Sequence, residues 1–334
     1  MKGEIKMKKF NIAVVGATGL VGKKILEILE ERNFPINELT LIASKRSEGQ
    51  KILYNGKEYR VIAISDQAFT DHMDIAFFAG GGSVSESYAQ AAVNKGIIVI
   101  DNSSVFRMDD HVPLVVPEVN PEDVFKNKGI IANPNCSTTQ CMVALKPIYD
   151  KYGIKRVVYS TYQSVSGSGL AGIRDLEQGL SEFYPYPING NVIPHIDVFL
   201  DNGYSKEEMK MIEETRKILH DSEMKLTATA VRVPVKYAHG VSVNIELKND
   251  FQLDHVRNIL SGFPGIVVKD DIKKDLYPVT QDAEGRDEVF VGRIRRDESL
   301  EHGLNLWIVA DNIRKGAATN AIQIGELLVK NWGA

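Results

Sequence analysis

A cysteine lies where a buried strand is expected to give way to a helix. The apolar run 129–132 predicts a strand, Asn133-Pro134-Asn135 interrupts it, and Cys136 opens a polar cluster that leads into the apolar, helix-like stretch 142–148. Free N–H groups and the dipole at a helix start favour a thiolate over a thiol. A thiolate is a covalent nucleophile for acyl transfer. The alternative is a small buried side chain, a common role for free cysteine.

Three polar side chains occur near strand ends, where the fold alone does not explain a polar residue. Gln163 ends a strand that runs into a Gly/Ser loop, Arg232 lies in the strand predicted over 226–234, and His239 lies in a turn before the next strand. Imidazole is the usual group to take and return a proton near neutral pH. A guanidinium holds an anion by paired hydrogen bonds. We predict an acid/base role for His239 and anion binding for Arg232; the alternative is that both are surface groups.

Other charged residues fit an anionic substrate less specifically. Arg107 follows another predicted strand end, so two arginines could hold a carboxylate and a phosphate. Glu207 and Lys210 share one face of the helix predicted over 205–220, at i, i+3 spacing. Taken alone, this pair reads as a solvated ion pair.

A glycine-rich turn between the first predicted strand and the first predicted helix indicates a nucleotide site. The run is Gly16-Ala17-Thr18-Gly19-Leu20-Val21-Gly22. Its glycines allow a tight turn and close approach of the backbone to a pyrophosphate. The spacing is G-x-x-G-x-x-G rather than G-x-G-x-x-G. The position of the turn, after a strand and before a helix, is therefore stronger evidence for a nucleotide site than the glycine spacing itself. A second glycine loop, 80–83, could wrap the cofactor or be only a flexible turn.

The end of the second predicted strand distinguishes between two cofactors. An NAD site usually has Asp or Glu there, accepting from the ribose 2′-hydroxyl. This chain has Ser44-Lys45-Arg46-Ser47 instead, with no acid before Glu48. Hydroxyls and a guanidinium suit a 2′-phosphate, so we predict NADP with Ser44, Arg46 and Ser47 in its site. The alternative is a solvated basic loop.

The pattern of elements predicts an α/β fold with two domains. Strands over 10–17, 39–44, 59–64, 74–79 and 97–102 alternate with helices over 20–33 and 84–95, which is typical of βαβ units in a Rossmann-type sheet. Later strands have fewer helices between them and predict an α+β domain with a mixed or antiparallel sheet (156–165, 226–234, 241–248, 288–294 and 304–310). We expect 1–134 plus 311–334 to form the dinucleotide-binding domain, with a helix over 317–332 packing back on it. We expect 135–310 to form the catalytic and dimerisation domain.

Composition excludes several classes of protein. The 334 residues carry a net charge of −4 and no long basic block, so a nucleic-acid partner is not expected. No apolar run reaches the roughly 20 residues of a membrane span. The start lacks the features of a signal peptide, and Met7 is an alternative start. Cys136 and Cys141 are a poor disulfide pair, which fits the reducing cytoplasm. No metal site is expected.

Four motifs, in order and spacing, resemble those of aspartate-β-semialdehyde dehydrogenase, and the resemblance runs along nearly the whole chain. They are Asn-Pro-Asn-Cys-Ser-Thr-Thr-Gln at 133–140, Gln-Ser-Val-Ser-Gly-Ser-Gly at 163–169, Arg-Val-Pro-Val at 232–235 with His239, and Asp-Asn-Ile-Arg-Lys-Gly-Ala-Ala at 311–318. The resemblance implies NADPH-dependent reductive dephosphorylation of β-aspartyl phosphate, a step toward lysine and diaminopimelate, threonine, methionine and isoleucine. The chain departs from the pattern at Gly240, where many members have Ser.

The resemblance also implies roles for individual residues. Cys136 would attack the acyl phosphate and form a thioester, His239 would be the acid/base, and Gln163 would orient the intermediate. The implied substrate-binding residues are Arg107 (phosphate), Asn135, Ser166, Glu207, Lys210 and Arg232 (α-carboxylate). The implied cofactor-binding residues are Gly16, Thr18, Gly19, Leu20, Val21, Ser44, Arg46, Ser47, Gly167 and Asn312, the last near the nicotinamide. The family forms homodimers through the second domain, and sometimes tetramers.

Three other interpretations compete with this one. N-acetyl-γ-glutamyl-phosphate reductase performs the same chemistry on a longer, acetylated substrate, but Glu207 suits the free ammonium of an aspartyl substrate better. Glyceraldehyde-3-phosphate dehydrogenase matches the motifs less well. A non-catalytic NADP-binding regulator would be expected to lack Cys136 or His239, and both are present.

Overall fold

The computed structural model describes residues 8–332, and the chain forms two compact units. The first consists of Met1–Pro134 with Ala318–Ala334, and the second of Asn135–Ala317. Residues 311–317 therefore belong to the second unit, whereas we expected them in the first. The reason is local packing, since Asp311 Oδ2 accepts from Gly285 N and Gly316 packs on Cys136. The predictions for Met1 and Met7 lie outside the described residues.

The first unit contains a parallel sheet of six strands among the described residues, in the order β5-β2-β1-β6-β7-β8. The chain order reverses on either side of β1, so the glycine turn lies at a topological switch point, where nucleotides bind in such folds. This sheet confirms the predicted Rossmann-type fold. The elements are β1 (Phe10–Val15), α1 (Leu20–Glu31), β2 (Ile36–Ala43), β3 (Lys51–Tyr54), β4 (Lys57–Arg60), β5 (Ile62–Ala63), β6 (Ile75–Phe78), α2 (Gly82–Val93), β7 (Ile98–Asp101) and β8 (Ile130–Ala132).

The single strand predicted over 59–64 is wrong. Its first part belongs to β4, which pairs with β3 in a separate hairpin, while β5 pairs with the main sheet along β2. Asn55 and Gly56 join the hairpin, both with positive φ (51° and 73°). An Asn-Gly pair with these angles makes the tight turn that suits a two-residue hairpin.

The second unit is built on a mixed sheet with the strand order β10-β9-β11-β14-β13-β12. The outer pairs β9/β10 and β12/β13 are parallel and the inner pairs are antiparallel, which confirms the predicted mixed sheet. The elements are α3 (Cys136–Tyr152), β9 (Ile154–Gln163), α4 (Gly169–Gln178), α5 (Lys206–Leu219), β10 (Lys225–Arg232), β11 (His239–Leu247), α6 (Leu253–Ser261), β12 (Ile266–Val268), α7 (Thr280–Ala283), β13 (Val289–Asp297) and β14 (Gly303–Ala310).

Helices α3 and α5 of the second unit cover one face of its sheet, while Ala283 of α7 packs with Val309 and Trp307 on the other face. α3 packs across β9, β11, β13 and β14, and α5 packs along β10. Burial alternates along β9, so Thr161 and Gln163 face the helices while Tyr162 faces away. We had predicted that His239 lies in a turn, and this prediction is wrong. His239 is the first residue of β11 and pairs with Ala310, because the turn ends at Ala238 in a left-handed conformation.

The chain returns to the first unit through its last helix, α8 (Thr319–Lys330). Its apolar side packs into the core beneath the parallel sheet, together with the apolar side of α1. An ion pair between Arg32 and Glu326 (2.7 Å) joins the outer surfaces of the two helices. No helix in residues 8–332 is both long and apolar enough to cross a membrane.

Candidate active site

One of the two thiols of the second unit, that of Cys136, lies at the start of a long helix. Cys136 is the first residue of α3, as the sequence predicts, and it is half-buried. Asn135 is the N-cap, and its Oδ1 accepts from Ser137 N (2.9 Å) and Thr138 N (3.2 Å). The cap fixes the backbone around the thiol and satisfies two helix N–H groups that would otherwise lack a partner.

Two carboxylates of α5 hold the residue before the thiol. Glu207 Oε1 accepts from Asn135 Nδ2 at 2.9 Å, and Glu214 Oε2 accepts from Asn135 N at 2.7 Å. We had predicted that Asn135 lines the substrate site, but the structure shows its side chain engaged as a cap. Sequence reasoning missed Glu214, although its seven-residue spacing from Glu207 puts both on one helix face.

Glu207 also positions Gln163. Gln163 Nε2 donates to Glu207 Oε1 (3.0 Å), and Thr161 Oγ1 donates to Gln163 Oε1 (2.9 Å). Burial alone would raise the pKa of Glu207, but Lys210, the hydrogen bonds from Gln163 and Asn135, and Arg232 together lower it to about 2. The carboxylate is therefore a buried negative charge that accepts a hydrogen bond from Asn135, the cap residue before Cys136.

Lys210 is more than a solvated partner of Glu207. Its Nζ lies 3.1 Å from Glu207 Oε2 and 2.8 Å from Asp197 Oδ2. Burial disfavours the ammonium, yet the two carboxylates raise the pKa of Lys210 above its usual value. The group is thus a fixed cation at the edge of the site.

Arg232 and His239 flank a glycine. Arg232 Nη1 donates to Ser164 O (2.7 Å), while its buried Nε has no hydrogen-bond partner among the described residues. A Cβ on Gly167 would lie 2.8 Å from Arg232 Nη1 and 3.4 Å from His239 Nε2. Gly167, which we predicted to bind the cofactor, therefore keeps open the space beside these two donors.

The ring of His239 is fully buried and oriented by the backbone. Nδ1 accepts from Ser164 N (2.9 Å), and the Ser164 hydroxyl lies 3.0 Å from the same nitrogen. Within the described part of the chain, Nε2 has no partner. Burial, reinforced by the positive charge of Arg232, lowers the pKa of His239 to about 3, against a smaller opposing effect of Glu207.

Ser166 and Asn312 form the support behind the histidine. Asn312 Oδ1 accepts from Ser164 Oγ (3.0 Å), Ser166 Oγ (3.1 Å) and Ala238 N (3.0 Å). All of these groups are buried. Asn312 thus holds the two segments that contact or carry the His239 ring.

Two glycines approach the site closely, and sequence reasoning assigned a role to neither. Gly316 N bonds to Asp311 O in a π-helical turn, and a Cβ on Gly316 would lie 2.8 Å from Cys136 Cβ. A Cβ on Gly240 would lie 2.5 Å from the indole of Trp307. The indole therefore accounts for glycine at position 240.

The first unit contains a cleft at the glycine turn. Gly16 has φ +84°, and a Cβ there would lie 2.6 Å from the Ala79 backbone. Gly19 is the N-cap of α1, with no side-chain cap and no acidic residue in the first turn, which Leu20 and Val21 open. Such a helix start fits a pyrophosphate. The cleft is lined by Val15, Gly16, Thr18, Gly19, Ala43, Ser44, Ile64, Ala79, Gly80 and Val84.

The predicted 2′-phosphate residues lie beside this cleft. Ser44 and Arg46 are exposed in the turn after β2, and Ser47 Oγ lies 3.2 Å from Thr18 Oγ1. The glycine loop predicted over 80–83 is shorter than expected, because Gly82 already begins α2. Arg107 also belongs to the first unit, where its Nη2 donates to Asn102 O (2.9 Å), and its role at the phosphate stays a prediction.

Comparison with family models and curated proteins gives a consistent result. A family model described as semialdehyde dehydrogenase, NAD binding domain, matches residues 11–127, and one described as semialdehyde dehydrogenase, dimerisation domain, matches residues 145–315. The chain is 55% identical to aspartate-semialdehyde dehydrogenase of Aquifex aeolicus, with 96% of this chain and 98% of that protein covered.

Solved structures show the same similarity. Aspartate-semialdehyde dehydrogenase II of Vibrio cholerae, complexed with ASA, matches with a TM-score of 0.93 at 47% identity, covering 97% of this chain and 99% of that one. Aspartate-semialdehyde dehydrogenase with NADP from Candida albicans matches with a TM-score of 0.75 at 27% identity, covering 96% and 98%.

Proposed function

The chain belongs to the aspartate-semialdehyde dehydrogenase family, and we propose that it converts β-aspartyl phosphate to aspartate-β-semialdehyde with NADPH, a step in the biosynthesis of the aspartate-family amino acids. One observation carries the proposal beyond the family. The second unit places Cys136 at a helix start capped by Asn135. Glu207 accepts hydrogen bonds from both Asn135 and Gln163, so it links Gln163 to the cap. Arg232 and His239 present two buried donors that lack a partner among residues 8–332.

Cys136 is the nucleophile of the proposed reaction. Its sulfur attacks the acyl carbon, phosphate leaves, and a thioester to Cys136 remains. A bound nicotinamide nucleotide supplies the hydride that reduces the thioester. His239 is the proposed acid/base, and its ring N–H is a donor for negative charge that develops on the carbonyl oxygen. Gln163, held by Glu207 and Thr161, orients the acyl group.

The charges of the site suit an amino-acid substrate. Glu207 is ionised and buried, which suits the substrate ammonium, and the unpartnered Nε of Arg232 suits the α-carboxylate. Arg107, Lys210 and Ser166 are proposed for the phosphate and its surroundings, and Asn135 acts through the helix cap. An acetylated substrate has no ammonium, so it would leave the Glu207 charge without a match.

NADP is the proposed nucleotide. Gly16, Thr18, Gly19, Leu20 and Val21 would hold the pyrophosphate, and Ser44, Arg46 and Ser47 the 2′-phosphate. Gly167 and Asn312 are proposed near the nicotinamide. We expect Arg46→Ala to weaken NADPH binding by about tenfold, the loss of about one charge-assisted contact, and NADH binding hardly at all. Lys51→Ala, a nearby exposed lysine, is the matched control. Equal losses for both nucleotides would mean that the 2′-phosphate is recognised elsewhere.

We also propose a homodimer formed through the second unit, and a cytoplasmic location. The sheet face away from α3 and α5 carries exposed or half-buried side chains, including Tyr162 and Trp307 in edge contact at 5.5 Å. Both cysteines are free thiols, which suits a reducing compartment. Sedimentation velocity tests the dimer, and a monomer at micromolar concentration would contradict it.

The function is tested in the reverse direction. Oxidation of aspartate semialdehyde is followed through NADPH formation, with and without phosphate, beside the same assay with N-acetylglutamate semialdehyde. We expect activity only with the first substrate and only with phosphate. Activity with the second alone would keep the chemistry and change the substrate. Inactivity with both, in protein that still binds NADPH, would refute the proposal.

A further inference from the structure

The residue before Cys136 is held at each of its polar groups. The side chain of Asn135 caps α3 and bonds to Glu207, and its carbonyl accepts from Thr139 N (2.8 Å) and Thr139 Oγ1 (2.9 Å). Its N–H donates to Glu214 Oε2 at 2.7 Å. This last bond fixes the peptide through which the chain enters the helix, and the acyl-transfer chemistry itself makes no use of it.

The N–H of a cap residue can find its acceptor within the same helix. In a capping box, the third helical residue is Glu or Gln, and its side chain reaches back to that N–H. α5 has such a box, since Glu208 Oε2 accepts from Ser205 N at 2.7 Å and Ser205 Oγ accepts from Glu208 N. In α3 the third residue is Thr138, whose buried hydroxyl has no partner among residues 8–332, and the carboxylate comes from Glu214 instead. α3 therefore has a capping box whose carboxylate belongs to another helix.

An acceptor that another helix supplies joins the two helices. A local carboxylate would be enough to satisfy the N–H, whereas Glu214 connects the start of α3 to α5, the helix that carries Glu207 and Lys210. Glu207 and Glu214 are seven residues apart, which is about 10 Å along a helix axis. They hold the side chain and the backbone of the same residue, Asn135. Movement of α3 along α5 in either direction would therefore lengthen one of the two bonds.

α5 is itself anchored to the sheet. Glu208 Oε1 accepts from Ala230 N (2.9 Å), which joins the first turn of the helix to β10. Tyr159 Oη lies 3.2 Å from Thr215 Oγ1, which joins the residue after Glu214 to β9. Glu214 is 1% exposed, so water does not compete for its hydrogen bond. The start of α3 is thus connected to the sheet through a fixed helix.

We propose that Glu214 is a positioning residue for Cys136. By accepting from Asn135 N, and together with Glu207, it sets the nucleophile against the helix that carries the substrate-binding groups. Glu214 acts through Asn135 rather than on the reacting atoms. This inference rests on the proposed function, in which the thiolate attacks a substrate held by α5. Its effect on rate follows from alignment, since misplacing a reacting group by about 1 Å costs about 10²-fold.

Two variants of similar size test whether the acceptor matters. Glu214→Gln keeps a carbonyl oxygen at the same reach, and Glu214→Leu removes it. In the oxidation of aspartate semialdehyde, we expect Glu214→Leu to lower kcat by about 10²-fold and Glu214→Gln to be at least about tenfold faster than Glu214→Leu. Glu213→Leu removes the neighbouring, half-buried carboxylate of the same helix and should leave kcat unchanged. A glutamine variant as slow as the leucine variant, or a leucine variant as fast as the wild type, would overturn the proposal.

The kinetic constants separate positioning from a general loss of structure. We expect both Glu214 variants to bind NADPH with a dissociation constant within about twofold of the wild type, and the KM for aspartate semialdehyde to change less than kcat. Alkylation of the Cys136 thiol by iodoacetamide should be as fast as in the wild type or faster. A small reagent needs no alignment with α5, and loss of a nearby negative charge favours the thiolate. Thiol reactivity and NADPH binding that fall together with kcat would indicate a disordered site and would overturn the proposal.

Crystal structures of the two variants test the position of the nucleophile without any substrate. Glu214→Leu should shift the Cα of Cys136 along α5 by roughly 1 Å, the scale of misplacement that such a loss in rate requires, and Glu214→Gln should leave it in place. An unmoved Cys136 in Glu214→Leu would overturn the proposal. Inactivity of the wild type toward aspartate semialdehyde would count against the proposed function and leave this structural result standing.

Discussion

The starts of α1 and α3 are two helix N-termini built in opposite ways. α1 begins after Gly19, with no side-chain cap and no acidic residue in its first turn. α3 begins after Asn135, whose side chain takes two of the helix N–H groups and is itself held by Glu207 and Glu214. The same dipole and the same orphan N–H groups are present in both helices.

The difference follows from what each end has to hold. A nucleotide enters and leaves, so its phosphates must find N–H groups that no side chain has taken. Cys136 is part of the chain, so its helix can use its own N–H groups to fix geometry, and a rigid nucleophile gains more from position than from an open dipole. Of these two starts, the one capped by a side chain carries Cys136, and the one without a side-chain cap lines the cleft.

Cys136→Ser gives the largest effect predicted by this comparison. It should lower kcat by at least about three orders of magnitude, because a hydroxyl is far less nucleophilic than a thiolate at neutral pH. It should leave the dissociation constant for NADPH, measured by fluorescence titration, within about twofold of the wild type. Cys141→Ser, at a buried thiol whose pKa burial raises, is the control. Substantial activity in Cys136→Ser would remove the nucleophile from the α3 start.

Acid sensitivity is predicted for the α3 neighbourhood. The pKa of His239 falls from its ordinary value of 6.5 to about 3, so the unfolded chain binds that proton first as the pH drops. The stability that comes from the neutral ring is complete above pH 6.5 and shrinks below it, by about 2 kcal/mol at pH 5. Glu207, with its pKa lowered from 4.5 to about 2, contributes above pH 4.5 and loses that contribution only as the pH falls further.

Urea unfolding at pH 7 and pH 5 checks this window. The wild type should lose about 2 kcal/mol more than His239→Gln between the two values, since the glutamine does not titrate. The other histidines are present in both proteins and cancel in the comparison. Parallel losses in the two proteins would show that the ring is not held neutral by the fold.

Local sequence signals predicted the two helix starts, but not what surrounds them. A strand, a break and a polar cluster place Cys136 at a helix start, because each signal lies within a few residues of the next. The bond from Asn135 N to Glu214 joins residues 79 apart, and no local pattern contains it. The same holds for the contact of Gly316 with Cys136, which depends on a π-helical turn. Tertiary contacts of this kind complete a site that local patterns only begin.

Two errors were local, and the sequence could have prevented one of them. The Asn55-Gly56 pair is a strong hairpin signal, and using it would have divided the strand predicted over 59–64. The position of His239 within β11 depends instead on Ala238 adopting a left-handed conformation, which alanine rarely does. Asn312 makes that conformation tolerable from 74 residues away.

Removing the cap of α3 should have a moderate effect. Asn135→Ala should lower stability by about 1 to 2 kcal/mol, the usual cost of losing an N-cap, and lower kcat as well, because the link to Glu207 is lost. Asn135→Ser separates the two roles, since serine can cap the helix but is too short to reach Glu207. We expect Asn135→Ser to recover most of the stability, measured by thermal unfolding, and little of the kcat. Full recovery of both would mean that Glu207 is not needed to position the thiol.

Adding a cap to α1 should have the smallest effect and tests the comparison most directly. Gly19 has φ −76° and ψ 171°, the extended conformation of an N-cap, so Gly19→Ser can supply the acceptor that α1 lacks. Serine is a slightly better N-cap than glycine, so stability should rise by a few tenths of a kcal/mol. NADPH binding should weaken by about tenfold, because the hydroxyl competes with the pyrophosphate for the same N–H groups.

Gly19→Ala controls for the added volume in that experiment. A Cβ at Gly19 would lie 3.2 Å from Gly16 O, which is close but tolerable, and alanine brings no acceptor. If competition for N–H groups is the cause, alanine should weaken NADPH binding much less than serine does, as isothermal titration would show. If both variants lose affinity equally, crowding of the turn explains the loss. The absence of a side-chain cap on α1 would then be a consequence of tight packing, and the contrast with α3 would say nothing about ligand binding.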